Sequence, residues 1–394
     1  MLLKTTKSLA LLYFNEIVAI RRHIHRHPEL SFHEYKTAAF IREKLLNWGL
    51  KNVKSIVDTG VVATIEGKNP LKKTIALRAD IDALPITEQS SAAYTSENAG
   101  VMHACGHDAH TAMLLGVAKI LHEMRDRFEG SVQLIFQPAE EKLPGGAQRI
   151  VESGVLNGTN CIVGQHVFPD LEVGKVGFCK GKYMAASDEI DIVVKGIGGH
   201  AAYPERVINP IFIASKMLLV LEEMNRNESP KNSRSVLNFG CISGEGTYNV
   251  VPETVCLKGT MRTFDETWRS QLKNSIHQIA QQTASDENCE IHVSIQEGYP
   301  YLQNDTTVTE LAMQTAAKFV GTENCVTIPQ QMTSEDFAFY SHQMPACFYR
   351  IGTANVSKGI TSKLHSSKFD IDEKSLELGM GLMSYIALQL LENN

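Results

Sequence analysis

Two side chains that bind soft divalent metals stand two residues apart, at Cys105 and His107, in the stretch His-Ala-Cys-Gly-His-Asp. Two adjacent glutamates, Glu140 and Glu141, follow one apolar run, and His166 closes another. A thiolate, imidazoles and a carboxylate suit zinc or a similar transition metal better than magnesium or calcium. One glutamate can bind metal while its neighbour takes a proton from a metal-bound water. The pattern therefore predicts a metal site that can activate water.

The first third of the chain alternates helical and short buried-strand patterns, which is typical of an α/β layer with a largely parallel sheet. We predict helices at residues 4–26, 34–48 and 109–128, and strands at 61–66, 74–79, 132–137 and 162–166. In open α/β sheets, ligands gather beyond the carboxyl ends of strands. Asp80, Glu140 and His166 each follow such a predicted end, so these three strand ends predict one common site.

From about residue 185, strands alternate cleanly between polar and apolar residues, which predicts sheets with one solvated face. The predicted strands at 189–193, 254–261 and 290–295 and helices at 210–224 and 266–284 follow the order of a ferredoxin-like α+β sandwich. The α/β pattern then returns, with a helix at 306–319, a strand at 346–351 and a final helix at 373–391. The predicted fold class is α/β: a domain with a mixed, largely parallel sheet flanked by helices, plus an inserted ferredoxin-like α+β domain. Its segments are 1–184, 185–299 (the insertion) and 300–394.

Length and composition narrow the function classes. A chain of 394 residues has room for two domains, and 43% hydrophobic with 21% charged residues describes a soluble globular protein. The net charge of −6, with no basic run that contains aromatics, argues against nucleic-acid binding. No run of 18 apolar residues occurs, which excludes a membrane helix, and the apolar N-terminal segment lacks the cleavage site of a signal peptide. Eight cysteines without paired spacing favour a reducing cytoplasm.

These motifs, in this order, resemble the M20 metallopeptidase family, and specifically its amidohydrolase branch of N-acyl-amino-acid, hippurate and auxin-conjugate hydrolases. The resemblance runs along nearly the whole chain. Besides the stretches described above, it rests on the segments 23–31, 77–85, 198–202, 249–252, 259–262, 334–337 and 364–366. Any one of these segments would be weak evidence, whereas the ordered series is very specific.

The resemblance implies five ligands for two divalent ions bridged by a thiolate: Cys105, His107, Glu141, His166 and His365. Other branches of the family carry a histidine ligand at the position where this chain has Asp80. The presence of Asp80 at this position fits the amidohydrolase branch. Asp80 and Asp82 share a strand end with the site and are candidates to orient the ligating imidazoles. We assign His103, Asp108 and His110 to the surroundings of the ligands as well. Zinc or manganese is expected, and cobalt or nickel is compatible with the same donors.

The implied reaction is hydrolysis of the amide bond between an acyl group and an amino acid. A metal-bound hydroxide would attack the carbonyl, while Glu140 takes the proton and returns it to the leaving nitrogen. His200 would hold the oxyanion, acting within its own chain or from a partner subunit. The resemblance also implies that the larger domain is the catalytic domain and that the inserted domain is its lid. If His200 acts from a partner subunit, the protein must form a homodimer, which the lid domain could form. Asn249 and Arg262 match substrate-contacting positions, and an arginine can bind a carboxylate through two hydrogen bonds.

Other interpretations stay open. A dipeptidase or aminoacyl peptidase would use the same metal chemistry. A binding or regulatory protein could keep the fold without catalysis, and a structural zinc module would close its site with four ligands. Glu205 and Asn209 depart from what the branch often carries after His200, so the preferred acyl group and amino acid are not defined. The histidines at 23, 25 and 27 spread around a helix and cannot face one metal, so we interpret them as structural.

Overall fold

The structure is a computed structural model that describes residues 1–393. Its α-helices are α1 Leu2–Arg26, α2 Tyr35–Asn47, α3 His107–Glu123, α4 Gly146–Glu152, α5 Pro210–Glu228, α6 Glu266–Asp286, α7 Thr306–Val320, α8 Ala338–Ser341 and α9 Lys374–Glu392. Within the described residues, none of these helices is long and apolar enough to cross a membrane.

The strands of the first half are β1 Asn52–Ile56, β2 Gly60–Glu66, β3 Thr74–Asp80, β4 Ser131–Gln137, β5 Cys161–Glu172, β6 Val176–Phe178, β7 Gly181–Met184, β8 Ala186–Lys195 and β9 Gly199–His200. The later strands are β10 Ser235–Ser243, β11 Val250–Val251, β12 Thr254–Thr263, β13 Glu290–Glu297, β14 Leu302–Asn304, β15 Cys325–Thr327 and β16 Ala346–Ala354.

The contacts divide the chain into two compact units. The first contains residues 1–183, 303–329 and those from 336 onward. The second contains residues 184–302 together with the short segment 330–335. The second unit therefore covers the predicted insertion at 185–299 and adds a segment that returns from later in the chain.

The first unit is built on an eight-stranded sheet with the order β1-β2-β4-β3-β5-β16-β6-β15. The four central strands β4, β3, β5 and β16 run parallel to one another, whereas β1 and β2 pair antiparallel at one edge. Parallel strands are covered on both faces, and β3 is buried along nearly its whole length, including the charged side chains of Arg78 and Asp80. The prediction of an α/β fold with a mixed, mostly parallel sheet flanked by helices is confirmed.

Three helices of the first unit, α1, α3 and α9, pack against one another, and α3 and α9 also contact the sheet. Almost every residue of α3 is buried. The helices α3 and α9 approach closely at two glycines: a Cβ on Gly116 would lie 2.6 Å from Met380 Sδ, and one on Gly379 would lie 1.9 Å from Met113 Sδ. This tight packing fixes α3, whose N-terminal end carries His107.

The second unit has the element order β8, α5, β10, β12, α6, β13 and an antiparallel sheet with the order β10-β12-β8-β13. This is the βαββαβ arrangement of an α+β sandwich. Ile190, Ile192 and Leu257 from the strands form a core with Leu221 of α5 and Leu272 of α6. The strand β10 was not predicted, because its sequence lacks clean alternation and a register irregularity lies between Phe239 and Cys241.

Candidate metal centre

A glycine turn places the Cys105–His107 segment. Gly106 has φ +84°, a left-handed conformation, and a Cβ there would lie 2.4 Å from Val167 Cγ2. Only glycine meets both demands at low cost. The helix α3 begins at His107, two residues before the predicted start, so His107 lies in the first helical turn and not in a loop before it.

The five predicted ligands lie together in the first unit. Ligand atoms of Cys105, His107 and His166 lie within 4.8 Å of one another, and so do those of Cys105, Glu141 and His365. The sulfur of Cys105 is common to both groups. His107 Nε2 also lies 3.8 Å from Glu141 Oε1. The two groups of residues would hold two divalent ions, and Cys105 belongs to both groups.

Hydrogen bonds to main-chain carbonyls fix the tautomers of the two buried histidines. His166 Nδ1–H donates to the Val167 carbonyl (2.7 Å), and His107 Nδ1–H donates to the Asp82 carbonyl (3.0 Å). A carbonyl oxygen can only accept, so in its neutral form each ring carries its lone pair on Nε2, and the Cys105 sulfur lies 3.5 Å from His166 Nε2. Within the described residues, buried His107 Nε2 has no hydrogen-bond partner. An unpartnered nitrogen beside a thiol and a carboxylate fits a metal ligand.

The charges of the cluster also suit a cation. Burial and the nearby carboxylates of Glu141 and Glu140 raise the pKa of the Cys105 thiol well above its ordinary value. Burial acts to lower the pKa of His107, but Asp80 and Asp82 overcome this and raise it to about 10. The carboxylates around Cys105 and His107 thus favour the protonated forms of both side chains. Bound divalent cations reverse this balance and stabilise the thiolate and the neutral imidazole.

Asp82 connects two of the candidate ligands. Its Oδ1 lies 3.2 Å from His107 Nδ1, and its Oδ2 accepts hydrogen bonds from the main-chain N–H of Glu141 (2.9 Å) and from the Ser31 hydroxyl (2.7 Å). The side chain is buried. One carboxylate therefore orients the ring of His107 and the backbone of Glu141 together.

Asp80 contacts His110, which in turn contacts the main chain beside His166. His110 Nδ1 lies 2.6 Å from Asp80 Oδ1, while His110 Nε2 accepts from the main-chain N–H of Val167 (2.9 Å). Arg78 Nη1 donates to the other Asp80 oxygen at 2.6 Å. Because both nitrogens of His110 are engaged, His110 is not available as a metal ligand. The pair instead positions the main chain beside His166.

Asp108 and His103 have different surroundings. Asp108 accepts hydrogen bonds from Arg21 Nε (2.7 Å) and lies 2.8 Å from His25 Nδ1, so it ties the start of α3 to α1. His25 thus has the structural role expected of it. His103 is buried, burial lowers its pKa to about 4, and neither ring nitrogen has a hydrogen-bond partner within the described residues. No hydrogen bond therefore supports the prediction that His103 orients a ligand.

Two of the three predicted strand ends match the structure. Asp80 ends β3, and Glu140 follows β4 by three residues, but His166 lies inside β5, which continues to Glu172. The prediction that β5 ends at His166 is wrong because the parallel neighbour β16 keeps pairing with β5 up to Glu172. The pairing of β3 with β5 ends at the pair Arg78–Gly164, two residues before Asp80 and His166, so His166 lies level with the end of β3.

His365 joins the cluster from a strained loop. Its backbone has φ +60°, which is uncommon for a residue other than glycine, and its N–H donates to the Ala104 carbonyl at 2.8 Å. His365 Nε2 lies 3.3 Å from Glu141 Oε1, and the neighbouring carboxylate raises the pKa of His365. Unlike the other histidines of the cluster it is half-exposed. Such strain is typical of functional sites.

His200 and Asn249 belong to the second unit and lie together. The strand β9 pairs with β11, with His200 opposite Val250, and the Asn249 carbonyl accepts from the Ala201 N–H at 2.9 Å. The main-chain N–H of Ala202 donates to His200 Nδ1 (3.1 Å), which leaves the ring proton of a neutral His200 on Nε2. Both side chains are exposed. An Nε2–H group of this kind is a hydrogen-bond donor.

Arg262 lies on β12 of the same unit. Its Nη1 donates to the Ser334 hydroxyl (2.8 Å) and its Nε to the Thr260 hydroxyl (3.2 Å). Burial lowers the pKa of Arg262. Ser334 belongs to the segment 330–335. The contact between Arg262 and Ser334 therefore joins the two stretches of sequence that make up the second unit.

Sequence reasoning missed several residues that support the site, namely Ser31, Glu34 and Arg78. Ser31 is the last residue of the segment 23–31 that carried the resemblance, and Glu34 follows it by three residues. Each is buried in the structure. Their partners are distant in the chain, so nothing in the local sequence identified them.

The chain belongs to peptidase family M20/M25/M40, whose pattern its residues 76–389 match. It is 39% identical over 381 residues to the N-acetyl-L-cysteine deacetylase of Bacillus subtilis (strain 168), covering 96% of this chain and 89% of that one. It is 37% identical to IAA-amino acid hydrolase ILR1-like 4 of Arabidopsis thaliana, with 96% and 86% covered. These likenesses identify the amidohydrolase branch, and the protein is a hydrolase that acts on amide bonds.

Solved structures agree with this classification. A putative aminohydrolase from methicillin-resistant Staphylococcus aureus is similar with a TM-score of 0.89 and 34% identity, covering 98% of this chain and 99% of that one. The Bacillus subtilis YXEP protein, described as a dinuclear metal-binding peptidase of the M20 family, has a TM-score of 0.81 and 33% identity, with 97% and 99% covered.

Proposed function

We propose that the protein is a metal-dependent amidohydrolase that cleaves the amide bond of N-acyl amino acids, with acetyl, benzoyl or related acyl groups. One observation carries the proposal: a thiol, three imidazoles and a carboxylate converge in the first unit, with Glu140 next to them. A carboxylate oxygen of Glu140 lies within 4.8 Å of ligand atoms of His107 and Glu141. A closed structural site would not need this additional, buried carboxylate.

The residues have distinct roles in this reaction. Two divalent ions held by the cluster would polarise the scissile carbonyl and activate water. Glu140 accepts the proton of the attacking water on its carboxylate and returns it to the leaving nitrogen. His200 donates its Nε2–H to the carbonyl oxygen as negative charge develops there. Arg262 binds the substrate carboxylate, and Asn249 contributes an amide beside His200.

The donor set indicates which metals fit. One sulfur, three imidazole nitrogens and a carboxylate favour zinc, and manganese, cobalt and nickel accept the same residues. We propose zinc or manganese as the working metal. Because Cys105 must be reduced to bind metal, we also propose that the protein works in a reducing compartment such as the cytoplasm.

The names of the relatives support the substrate class. One relative is named for deacetylation of N-acetylcysteine and another for hydrolysis of IAA–amino acid conjugates, which are both N-acyl amino acids. Asn209, one of the two departures from the branch, caps α5 by accepting from the Ile211 N–H at 3.0 Å. Glu205 is exposed. The structure thus gives Asn209 a local role that is independent of substrate choice.

A substrate panel tests the proposal. The metal-loaded protein is assayed on N-acetyl-methionine and hippurate and, in parallel, on dipeptides with a free amino terminus. We expect hydrolysis of the acylated compounds to exceed that of the dipeptides. Cleavage restricted to free-amine dipeptides would instead identify a dipeptidase or aminoacyl peptidase. No hydrolysis at all, with metal bound, would favour a binding or regulatory protein.

We further propose that the second unit forms a homodimer contact. The strand β10 is an edge of its sheet, and the adjacent helix α5 exposes Phe212 (74%) and Leu219 (71%) on one face. Exposed edges and apolar patches are usually covered. Light scattering after gel filtration should give twice the chain mass, and replacing Phe212 and Leu219 with serine should give the monomer. A monomeric parent protein would contradict this proposal.

Co-expression shows where His200 acts. A Glu140→Gln chain and a His200→Ala chain are each expected to be nearly inactive. A mixed dimer regains activity if His200 serves the site of its partner, and it stays inactive if His200 serves its own chain.

A further inference from the structure

The backbone around Glu140 is held on both sides by buried carboxylates. The main-chain N–H of Ala139 donates to Glu34 Oε1 at 2.8 Å, and the N–H of Glu141 donates to Asp82 Oδ2 at 2.9 Å. Hydrogen bonds from main-chain N–H groups to carboxylates are stronger than those to neutral oxygens. The peptide units that flank Glu140 therefore have fixed directions.

Ala139 needs such support because its backbone is unusual. It has φ +54°, a left-handed conformation that residues with a Cβ rarely adopt. Strain of this kind costs about 1–3 kcal/mol and persists only when the surroundings hold it. The Ala139 carbonyl accepts from the Gly146 N–H at 3.0 Å, so the turn is held from its other side as well.

Glu34 ties three separate segments to one another. It is fully buried, and besides Ala139 it accepts from the main-chain N–H of Phe32 (3.0 Å) and from the Thr59 hydroxyl (2.6 Å). Phe32 also has a positive φ, +68°. A single carboxyl group thus joins the loop before α2, the turn before β2 and the loop after β4.

We propose that Glu34 is a positioning residue that holds Ala139 in its left-handed conformation and so sets the direction in which Glu140 and Glu141 leave the backbone. This inference rests on the roles proposed above for those two glutamates. If Glu34 cannot accept, the buried N–H groups of Ala139 and Phe32 lose their partner. The loop can then relax to an ordinary φ, which rotates the proton acceptor Glu140 and the proposed ligand Glu141 away from the rest of the metal centre.

Glu29 offers a matched control. It lies five residues earlier in the same segment, and its carboxylate accepts from the main-chain N–H groups of Lys36 (3.2 Å) and Thr37 (2.8 Å) and from the Thr37 hydroxyl (2.9 Å). Like Glu34 it binds two backbone N–H groups and a threonine. These partners belong to α2 and not to the loop that carries Glu140.

The experiment compares Glu34→Met, Glu34→Gln and Glu29→Met in the full-length protein. Zinc affinity is measured by competition with a chromogenic chelator, together with kcat and KM on an N-acyl amino acid and the thermal midpoint. We expect Glu34→Met to lower zinc affinity and kcat by about 10–100-fold, the usual effect of losing a residue that orients a ligand. Glu34→Gln should recover most of both, because its amide oxygen can still accept from Ala139. Glu29→Met should lower only the thermal midpoint.

The inference is overturned if Glu34→Met affects zinc affinity and kcat no more than Glu29→Met does. Should Glu34→Met fail to fold, Glu34→Asp replaces it, since the shorter side chain withdraws the acceptor from Ala139. The Asp variant must then bind zinc more weakly than the Gln variant, and equal affinities would refute the inference. A parent protein that binds zinc but hydrolyses no N-acyl amino acid would contradict the proposed function, while the affinity comparison would still decide the role of Glu34.

Discussion

The histidines of the metal centre and the histidine of the second unit are held in different ways. His107 and His166 are 1% and 4% exposed, and each donates from Nδ1 to a main-chain carbonyl. His200 is exposed, and its ring is held by the N–H of Ala202, two residues away. Local contacts set the tautomer of both His166 and His200. The histidines of the metal centre differ from His200 in their burial and, for His107, in a contact with Asp82, 25 residues away in the chain.

The largest effect on kcat is expected from a change at Glu140, which is buried next to the metal centre. Glu140→Gln removes the proton acceptor but preserves the size of the side chain. We expect kcat to fall by about 10² to 10⁴-fold, the usual contribution of a general base. Metal content, measured by elemental analysis, should stay the same. Normal turnover in this variant would refute the assignment of Glu140.

His200→Ala tests the role of the exposed histidine of the second unit. Because the side chain is exposed, we expect no change in thermal midpoint or zinc affinity. We expect kcat to fall by about 10² to 10³-fold, as for the loss of one oxyanion donor. Steady-state kinetics with a parallel chelator competition makes this measurement. A loss of zinc affinity would show that the two sets of histidines are not separable in this way.

Asp82→Asn changes a residue that contacts the proposed ligands His107 and Glu141 but is not itself a proposed ligand. The variant loses the negative charge that faces His107 and the N–H of Glu141. We expect zinc affinity or kcat to fall by about 10–100-fold. The matched change Asp191→Asn, on an exposed position of β8, should leave both unchanged. Equal behaviour of the two variants would contradict the role given to Asp82.

The smallest effect is a pH dependence of stability. Burial and the neighbouring Asp82 raise the pKa of Glu34 from 4.5 to about 7. Below pH 4.5 the group is protonated in both folded and unfolded chains. Between pH 4.5 and 7 only the unfolded chain ionises, so the free energy of unfolding falls as pH rises, by at most about 3 kcal/mol. Above pH 7 this contribution is constant.

Urea unfolding of the metal-free protein at pH 5 and pH 8 measures this effect. The parent protein should lose stability relative to Glu34→Gln on going from pH 5 to pH 8. The same stability difference at both pH values would show that Glu34 does not titrate in this range.

Much of the fold could be predicted because its signals are local. Each central strand contains a short apolar run, and the main helices were predicted within a few residues of their observed bounds. The strand β10 was missed because it is an edge strand that is mostly exposed, so its burial imposes little alternation. The length of β5 was misjudged because its last residues are held by β16, more than 180 residues later in the chain.

The residues of the site also fall into those that the sequence could predict and those that it could not. Cys105, His107 and the two adjacent glutamates could be proposed from residue type, since few other roles need that combination. His365 required the resemblance, because a single histidine beside serine has no distinctive pattern. Glu34 could not be found at all, because its partners Thr59 and Ala139 are 25 and 105 residues away. Asp82, by contrast, could be proposed because it follows a predicted strand that ends at the site.

The segment 330–335 has a consequence for dissecting this protein. Since the second unit takes six residues from a later part of the sequence, no single continuous stretch encodes it. A fragment spanning 184–302 would lack Ser334, and Arg262 would lose the hydroxyl that its Nη1 binds. Studies of isolated halves would therefore need a fusion that carries the missing hexapeptide.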